Sequence, residues 1–377
     1  MRNKKLLFAY MGKFENCPRP KRLYWHLKDN NDIQVCSLDL NSIDNVKSYP
    51  IFKRSHSLFL QKLKLICQKL GFIRGAAYID RTGYVISISK REMEQFDYIF
   101  VHDLSLLPFF IGVAEKVIFD AREFYPAQFV AANKNQALKL KIYDFYSSVL
   151  LNKVARKITV SNGIAQQYKN DYGADFTVFK SLPLSFPVRT KPPKFDEPGK
   201  INIVHHGVCL PNRSIEKLIK VGETLDDRFH LYLMLMKKSD AFFKKISALV
   251  ENSERVTLLD PVAFEQIIPF IAQFDIGIHF LEDLQGQHAI SLPNKFYEFI
   301  SAELMLVVSG SDEMVSEAQK YDIGLAYKGM ANETQIVEDM KSLTLENIEM
   351  FKHNSAEVAK ALSFENAFNK LCTQLSL

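Results

Sequence analysis

The sequence predicts an α/β protein built from two doubly wound domains, and three observations favour this fold class. Short apolar runs alternate with stretches of helical periodicity, which is typical of parallel sheets covered by helices. The chain has 377 residues, enough for two domains of ordinary size. One segment, FPVRTKPPKFDEPGK at 186–200, holds four prolines and six charged residues and can continue neither a helix nor a central strand.

Ten apolar runs are predicted strands, five on each side of that segment. They are 5–10, 33–38, 98–101, 116–119 and 157–160, then 201–205, 230–235, 255–259, 275–280 and 304–308. Because ligands of such sheets bind beyond the carboxyl ends of the strands, two domains facing each other would form a binding cleft. The predicted domains are 1–185 and 200–352, joined by a linker at 186–199, with a helix in 353–377 packing back on the first domain.

Composition excludes several functional classes. The chain has 48 basic and 43 acidic residues, a net charge of +5, and it lacks the basic–aromatic motif of a nucleic-acid module. Its five cysteines are scattered without CxxC spacing, which predicts neither a disulfide framework nor a zinc site and suits the cytoplasm. The N-terminal run LLFAYMG is shorter than a signal-peptide core, and no run of 18 apolar residues predicts a transmembrane helix.

A candidate anion site follows the first strand of the second half, in INIVHHGVCLPNRSIEKLI at 201–219. Gly207 allows a tight turn after the strand, and Arg213 lies beside the start of the next helix. Free amides and the dipole at a helix start favour an anion, and arginine adds a planar fork that suits phosphate. The alternative is an ordinary strand–loop–helix unit with a solvated arginine.

The segment SLPNKFYEFISAEL at 291–304 reads as a helix that is apolar almost all round, and such a helix is normally buried. Ser291 is its predicted N-cap. Asn294 and Lys295 lie at its front, and Glu298 follows one turn later. A buried carboxylate must find hydrogen-bond donors, and sugar hydroxyls are suitable donors. The alternative is an exposed glutamate on a partly solvated face.

Three segments carry a resemblance to a known family. HHGVCLPNRSIEKLI, VTLLDPVAFEQIIPFIAQFDIGI and SLPNKFYEFISAELMLVVS, in this order, resemble the donor-binding domain of GT-B-fold nucleotide-sugar glycosyltransferases. The most similar group is the large retaining family of bacterial surface-polysaccharide enzymes, of the family four type. The resemblance covers most of 200–330 and implies two Rossmann-like domains. It implies diphosphate binding by Gly207, Arg213, Lys237, Asn294 and Lys295, nucleoside binding by Glu298 and Val262, and a sugar-side role for His288.

The chain departs from the family pattern at three places. Ile290 stands where the first of two motif glutamates is usual, and Val208 stands where a basic residue follows the glycine. The usual glycine–proline after the helix reads Glu303 to Met305. These departures leave open the sugar, the stereochemistry of transfer and a non-catalytic role.

In the first half, ionisable residues follow two strands. His102 follows the strand at 98–101, while Asp120 and Glu123 follow the strand at 116–119. The segment KVIFDAREFYP resembles the family's D.HE..P segment, with arginine in place of histidine. The resemblance implies that His102, Asp120 and Glu123 act on the sugar and acceptor side, while the departing diphosphate accepts the acceptor's proton. The alternative is that they are structural loop caps.

The segment 52–75, FKRSHSLFLQKLKLICQKLGFIRG, contains six basic residues, many leucines and no acidic residue. It predicts a basic amphipathic helix that contacts an anionic membrane surface. The alternative is a domain helix whose lysines face water.

The sequence therefore predicts a glycosyltransferase that moves a sugar from a nucleoside-diphosphate donor, UDP-sugar favoured, to a glycan or lipid-linked acceptor of surface polysaccharide. It predicts no bound cofactor or metal and a place in the cytoplasm, at the inner face of the cell membrane. Two alternatives stay open. One is a nucleotide-sugar 2-epimerase of the same fold, and the other is a degenerate protein that binds nucleotide-sugar without catalysis.

Overall fold

The computed structural model describes residues 1–13, 17–39, 46–184, 199–281 and 284–377. The chain divides into two compact units. The first unit is Met1–Lys180 with Ala367–Leu377, and the second unit is Ser181–Asn366. The predicted linker 186–199 lies outside the described residues, except for Gly199.

The first unit contains an eight-stranded sheet in the order β4-β3-β2-β1-β5-β6-β7-β8. All neighbouring strands are parallel except β3 and β4. The strands are β1 Lys5–Lys13, β2 Asp32–Asp39, β3 Ser48–Lys53, β4 Tyr84–Ile86, β5 Tyr98–Val101, β6 Val117–Ala121, β7 Arg156–Thr159 and β8 Thr177–Val178. The order reverses between β1 and β5, and ligands of doubly wound sheets bind at such switch points.

Helices connect these strands, and the apolar side chains of the central strands are buried between them. Phe8, Phe100 and Phe119, on β1, β5 and β6, have no exposed surface. Central parallel strands are apolar on both faces because helices cover both. The helices are α1 Pro18–Leu27, α2 Leu58–Lys69, α3 Ile73–Thr82, α4 Lys90–Met93, α5 Leu107–Phe110, α6 Lys134–Leu150 and α7 Asn162–Tyr172.

The second unit contains a six-stranded, wholly parallel sheet in the order β11-β10-β9-β12-β13-β14. Its strands are β9 Ile201–Cys209, β10 Phe229–Lys237, β11 Val256–Leu259, β12 Ile276–Phe280, β13 Met305–Gly310 and β14 Gly324–Lys328. The order reverses between β9 and β12, so the carboxyl end of β9 lies at the switch point.

The described residues from Ile215 onward contain eight α-helices. They are α8 Ile215–Thr224, α9 Asp240–Val250, α10 Ile267–Ile271, α11 Asn294–Ser301, α12 Asp312–Tyr321, α13 Glu333–Ser342, α14 Leu345–Ala361 and α15 Phe364–Leu375. The predicted C-terminal helix within 353–377 is thus the end of α14 followed by α15. Phe368 of α15 packs against His26 and Phe179, with ring centroids 4.9 and 6.2 Å apart.

All ten predicted strands are present, so the predicted α/β class is confirmed. The prediction missed β3, β4, β8 and β14. β3 contains Pro50, β4 and β8 have three and two residues, and β14 begins with Gly324. Proline and glycine weaken a strand pattern, and very short strands carry no readable period.

The predicted tight turn at Gly207 is wrong. β9 continues through Gly207 to Cys209, and Gly207 remains paired with Leu235 of β10. Gly207 has a φ of +139°, a conformation that side chains other than glycine rarely adopt. Gly207 therefore allows an unusual backbone conformation within the strand, and it does not form a turn.

Helix α11 is shorter than the predicted segment, and its start differs. It begins at Asn294, Pro293 occupies the N-cap position, and Ser291 instead donates its hydroxyl to the carbonyl of His288 at 3.3 Å. Glu303, just after the helix, has a φ of +60°. The backbone is thus left-handed just after the helix, in the segment Glu303 to Met305 that was compared above with a glycine–proline pair.

The basic segment 52–75 is not one helix. Its first residues end β3, α2 follows, and α3 begins at Ile73. Gly71, with a φ of +72°, separates the two helices because a left-handed residue ends helical pairing. No helix in the described ranges is both long enough and apolar enough to cross a lipid bilayer.

Candidate donor and acceptor sites

The carboxyl end of β9 and the start of α11 meet in the second unit. A Cβ atom added to Gly207 would lie 2.6 Å from Cε and 2.8 Å from Nζ of Lys295. The lysine side chain therefore lies directly over the glycine, in space that any other residue would fill. This contact brings together two of the residues predicted to bind diphosphate.

A second cation lies near Lys295. Burial of its ammonium group and the charge of Arg213 lower the pKa of Lys295 to about 8, and Glu298 opposes this shift. Arg213 precedes α8, whose N-cap Ser214 provides no side-chain cap. Two cations that repel each other beside an uncapped helix start favour the binding of an anion.

The carboxylate of Glu298 is buried one turn into α11. Glu298 is 6% exposed, and its Oε2 lies 3.5 Å from Nε2 of His206, which is 5% exposed. The ring of His206 also meets the edge of Phe299, with centroids 5.4 Å apart. Glu298 is therefore inside the unit, as predicted, with an imidazole and an ammonium group among its neighbours.

Three histidines are buried in this part of the second unit, and His206 contacts Glu298. His205 Nδ1 lies 2.9 Å from the carbonyl oxygen of Ile278, and its ring stacks on that of His279 at 5.7 Å. Burial, followed by the charge of Lys295, lowers the pKa of His205, His206 and His279, and that of His206 falls to about 3. The three imidazoles are thus neutral near pH 7. The described residues hold no group of three potential ligands arranged for a metal ion.

The other residues predicted on the donor side are more exposed. Asn294, Val262 and His288 are partly buried, at the start of α11, after β11 and in the short helical turn before Ser291. Lys237 lies at the end of β10, where it forms an ion pair with Asp240 at 2.9 Å. The structure brings Gly207, Arg213, Lys295 and Glu298 together, whereas Lys237 is held by a different partner.

In the first unit, His102 and Asp120 belong to one buried ionic network. Nδ1 of His102 lies 3.0 Å from Oδ2 of Asp120, and Nε of Arg19 donates to both oxygens of Asp120 at 2.9 and 2.8 Å. Burial opposes ionisation of Asp120, but Arg19 and His102 hold its pKa well below the ordinary value. His102 and Asp120 have no exposed surface. Their geometry fits a structural charge network, and their predicted catalytic role stays a prediction.

Glu123, the third predicted catalytic residue, is partly buried after β6. Its side chain accepts a hydrogen bond from Gln128, and its carbonyl accepts one from the hydroxyl of Tyr168 at 3.0 Å. Glu123 is therefore closer to the surface than His102 and Asp120.

Asp103 is a candidate that the prediction left out. It follows β5, and its Oδ2 accepts the amide of Met11 at 2.8 Å, whereas its Oδ1 accepts Arg122 at 3.2 Å. Burial raises the pKa of Asp103 even though Arg122 opposes the shift. Its side chain is 15% exposed, unlike that of Asp120. The sequence did contain a signal, because Asp103 and Arg122 follow the neighbouring strands β5 and β6, and β5 borders the switch point.

Arg122 has partners for all three guanidinium nitrogens. Besides Asp103, it donates to the carbonyl of His102 at 3.1 Å and contacts Sγ of Cys17 at 2.8 Å, with its guanidinium carbon 5.1 Å from the ring centroid of Tyr10. Arg122 thus connects the loop ends that follow β1, β5 and β6 around Asp103.

Comparisons with known proteins support the fold. No protein-family model and no curated protein sequence matches the chain. WaaG, a glycosyltransferase involved in lipopolysaccharide biosynthesis, matches with a TM-score of 0.66 at 8% identity, covering 98% of this chain and 99% of WaaG. HepE of Anabaena, solved with UDP and glucose, matches with a TM-score of 0.67 at 11% identity, covering 99% and 100%. Sucrose-phosphate synthase of Thermosynechococcus elongatus gives 0.70 at 11%, covering 99% of each chain. These likenesses show that the chain has the GT-B fold.

Proposed function

We propose that this protein is a glycosyltransferase that transfers a sugar from a nucleoside-diphosphate donor to a glycan or lipid-linked acceptor in surface-polysaccharide synthesis. One observation carries the proposal. Lys295 lies over Gly207 at the carboxyl end of β9, with Arg213 close enough to lower its pKa and Glu298 buried one turn away. An unusual glycine, two cations and a buried carboxylate at a switch point suit a diphosphate joined to a ribose.

The donor we favour is a UDP-sugar. Structures similar to this one were solved with UDP and glucose, with UDP-glucose and with UDP-2-fluoro glucose. In our proposal Arg213 and Lys295 bind the diphosphate, with Asn294 at the helix start, and Glu298 binds the ribose hydroxyls. Val262 lies on the nucleoside side and His288 on the sugar side.

In the proposed sugar transfer, the protein stabilises the charge of the departing diphosphate and does not supply a nucleophile. As the bond between the sugar and the diphosphate breaks, negative charge grows on the diphosphate. Two fixed cations in a partly buried site stabilise that charge more strongly than water does. We propose that the departing diphosphate also accepts the proton of the acceptor hydroxyl, with retention at the sugar carbon and without a metal ion. On the acceptor side we propose Asp103 and Glu123, which are more exposed than His102 and Asp120.

The test is a transfer assay with a panel of UDP-sugars and a lipid extract as acceptor, scored by release of UDP and by the mass of the product. Transfer of a sugar residue that is at least 100-fold slower in Lys295→Met than in the wild type would support the proposal. Conversion of the UDP-sugar into an isomer without acceptor would favour the epimerase instead. Nucleotide binding without either product would favour the degenerate binding protein.

We also propose contact with an anionic membrane through the surface formed by α2, α3 and the end of β3, which we term the α2–α3 surface. Its large apolar side chains are exposed; Leu58, Phe59, Leu70 and Phe72 are 76%, 72%, 77% and 58% exposed. Exposed apolar groups among cations are typical of proteins that lie on anionic lipid. Such contact would place the enzyme at the inner face of the cell membrane, beside a lipid-linked acceptor.

The cations on this surface are not all available to lipid. Lys64 forms an ion pair with Asp80, which lies just beyond the basic segment. The exposed basic residues of the segment 52–75 are Lys53, Arg54, Lys62, Lys69 and Arg74, and α3 adds Arg81. Each basic group near an anionic surface contributes about 1 kcal/mol of attraction, so charge and apolar contact should both matter.

Flotation with vesicles that contain phosphatidylglycerol tests the membrane proposal. We expect the wild type to float at low salt and the double variants Phe59→Ser/Leu70→Ser and Lys62→Glu/Lys69→Glu to remain at the bottom. Leu249→Ser is the matched control, because Leu249 is 49% exposed but belongs to the second unit. A wild type that stays at the bottom in low salt would remove the membrane contact from the proposal.

A further inference from the structure

We propose that His206 is a positioning residue that holds the carboxylate of Glu298 in the orientation needed to bind the ribose hydroxyls of the donor. This inference rests on the proposed function, because it assigns a role within the same nucleotide site. It concerns a residue for which the resemblance to the family implies no role, and it arises from the packing of β9 against α11.

The geometry places the two side chains against each other inside the unit. Nε2 of His206 lies 3.5 Å from Oε2 of Glu298, and the two side chains are 6% and 7% exposed. This nitrogen is buried and forms no hydrogen bond within the described part of the chain. A movement of about half an ångström would bring the two atoms to hydrogen-bond distance. Phe299, whose ring edge meets the imidazole at 5.4 Å between centroids, restricts the ring to this region.

A neutral imidazole suits the positioning role. Burial and the nearby Lys295 lower the pKa of His206 to about 3, so the ring carries one N–H near pH 7. With the proton on Nε2, His206 donates to one carboxylate oxygen. A carboxylate accepts several hydrogen bonds, so one bond from His206 does not exclude hydroxyl donors, and that bond restricts rotation of the group. Pre-oriented groups bind more tightly because less freedom is lost on binding.

The two neighbouring histidines do not offer the same contact. Nδ1 of His205 is engaged with the carbonyl oxygen of Ile278 at 2.9 Å. Both ring nitrogens of His279 are buried without a hydrogen-bond partner in the described residues. His279 therefore provides a matched control, because it is another buried imidazole near His205 and, among the residues that the structure describes, forms no ion pair with Glu298.

The test measures discrimination between two ligands that differ only in the ribose. Calorimetry compares UDP with 2′,3′-dideoxy-UDP on the wild type, His206→Leu, His206→Gln and His279→Leu. We expect His206→Leu to bind UDP about five- to tenfold more weakly and 2′,3′-dideoxy-UDP with unchanged affinity. His206→Gln should retain most of the preference for UDP, since its amide can donate, and His279→Leu should retain it fully.

The possible results distinguish the role of His206 from the proposed function of the whole protein. A folded His206→Leu that keeps the wild-type preference, while Glu298→Ala loses it, overturns the role of His206 alone. Absence of binding of any nucleoside diphosphate to the wild type overturns the proposed function instead. Should His206→Leu fail to fold, the tautomer of His206 in the wild type decides, by ¹⁵N NMR of labelled histidine. A proton on Nε2 supports the inference, and a proton on Nδ1 with a bare Nε2 overturns it.

Discussion

Replacement of Gly207 by alanine perturbs the centre of the candidate donor site by a single methyl group. The added Cβ would lie 2.6 Å from Cε and 2.8 Å from Nζ of Lys295, closer than real Cβ atoms approach other atoms. The methyl group must therefore displace the lysine, which is a flexible side chain and can move. The φ of +139° adds backbone strain, because residues with a Cβ rarely adopt it.

Backbone strain and displacement of Lys295 affect two different measured quantities. A backbone held in a sparsely populated conformation costs of order 1–3 kcal/mol, so we expect the free energy of unfolding to fall by about that amount. Displacement of Lys295 would remove the charge-assisted hydrogen bond that we propose it makes to the diphosphate, worth about 1.5–3 kcal/mol. The affinity for UDP should then fall by about 10- to 150-fold.

Calorimetry with UDP and urea unfolding of the same preparations test this reasoning. Gly173→Ala is the control for strain, because Gly173 has a φ of +61° but an added Cβ there would meet nothing within 4 Å. We expect Gly173→Ala to lose stability and to bind UDP normally. A Gly207→Ala variant that binds UDP as tightly as the wild type would refute the idea that Lys295 over Gly207 contacts the diphosphate.

Two further predictions concern charged groups. The pKa of Lys295 is about 8 in the free protein, and a bound diphosphate should raise it. UDP binding should therefore take up a proton near pH 8.5 and weaken as the pH rises above 8. Binding heats measured in buffers of different ionisation enthalpy give the number of protons taken up, and zero uptake would contradict this prediction. Arg19→Leu should lower the free energy of unfolding by about 3–5 kcal/mol at pH 7, since it leaves Asp120 buried without its strongest partner. Adding Asp120→Asn should recover part of that loss in urea unfolding, and an equal loss in single and double variants would argue against a buried charge as the cause.

The strand and helix series was readable from the sequence because buried parallel strands are apolar runs with a period unlike that of helices. The same reasoning placed Glu298 inside the second unit, since its helix is apolar almost all round. The prediction failed where one residue type is compatible with two local structures, because a glycine can mark a turn or an unusual backbone conformation within a strand. Gly207 was read as a turn, yet its positive φ lies within β9. That backbone conformation favours glycine, and the lysine packed over it leaves little room for a Cβ atom.

Contacts between segments that are distant in the chain could not be predicted from the sequence, because they depend on how helices and strands pack. The pairing of His206 with Glu298 depends on how α11 packs on β9, and no spacing rule connects them. The network of Arg19, Asp120 and His102 likewise joins α1 to two strands. A closer reading could have found the break between α2 and α3, because Gly71 follows Leu70 at the point where helical periodicity is interrupted.

Calorimetric titration of UDP, GDP, CDP and ADP into the wild type and Glu298→Ala shows whether Glu298 belongs to a nucleotide site. Glu317→Ala, which removes another buried glutamate of the second unit, is the matched control. We expect the wild type to bind UDP selectively and Glu298→Ala to bind it at least about tenfold more weakly, equivalent to about 1.4 kcal/mol. Glu317→Ala should bind UDP as the wild type does. A folded wild type that binds none of the four nucleotides would contradict this expectation.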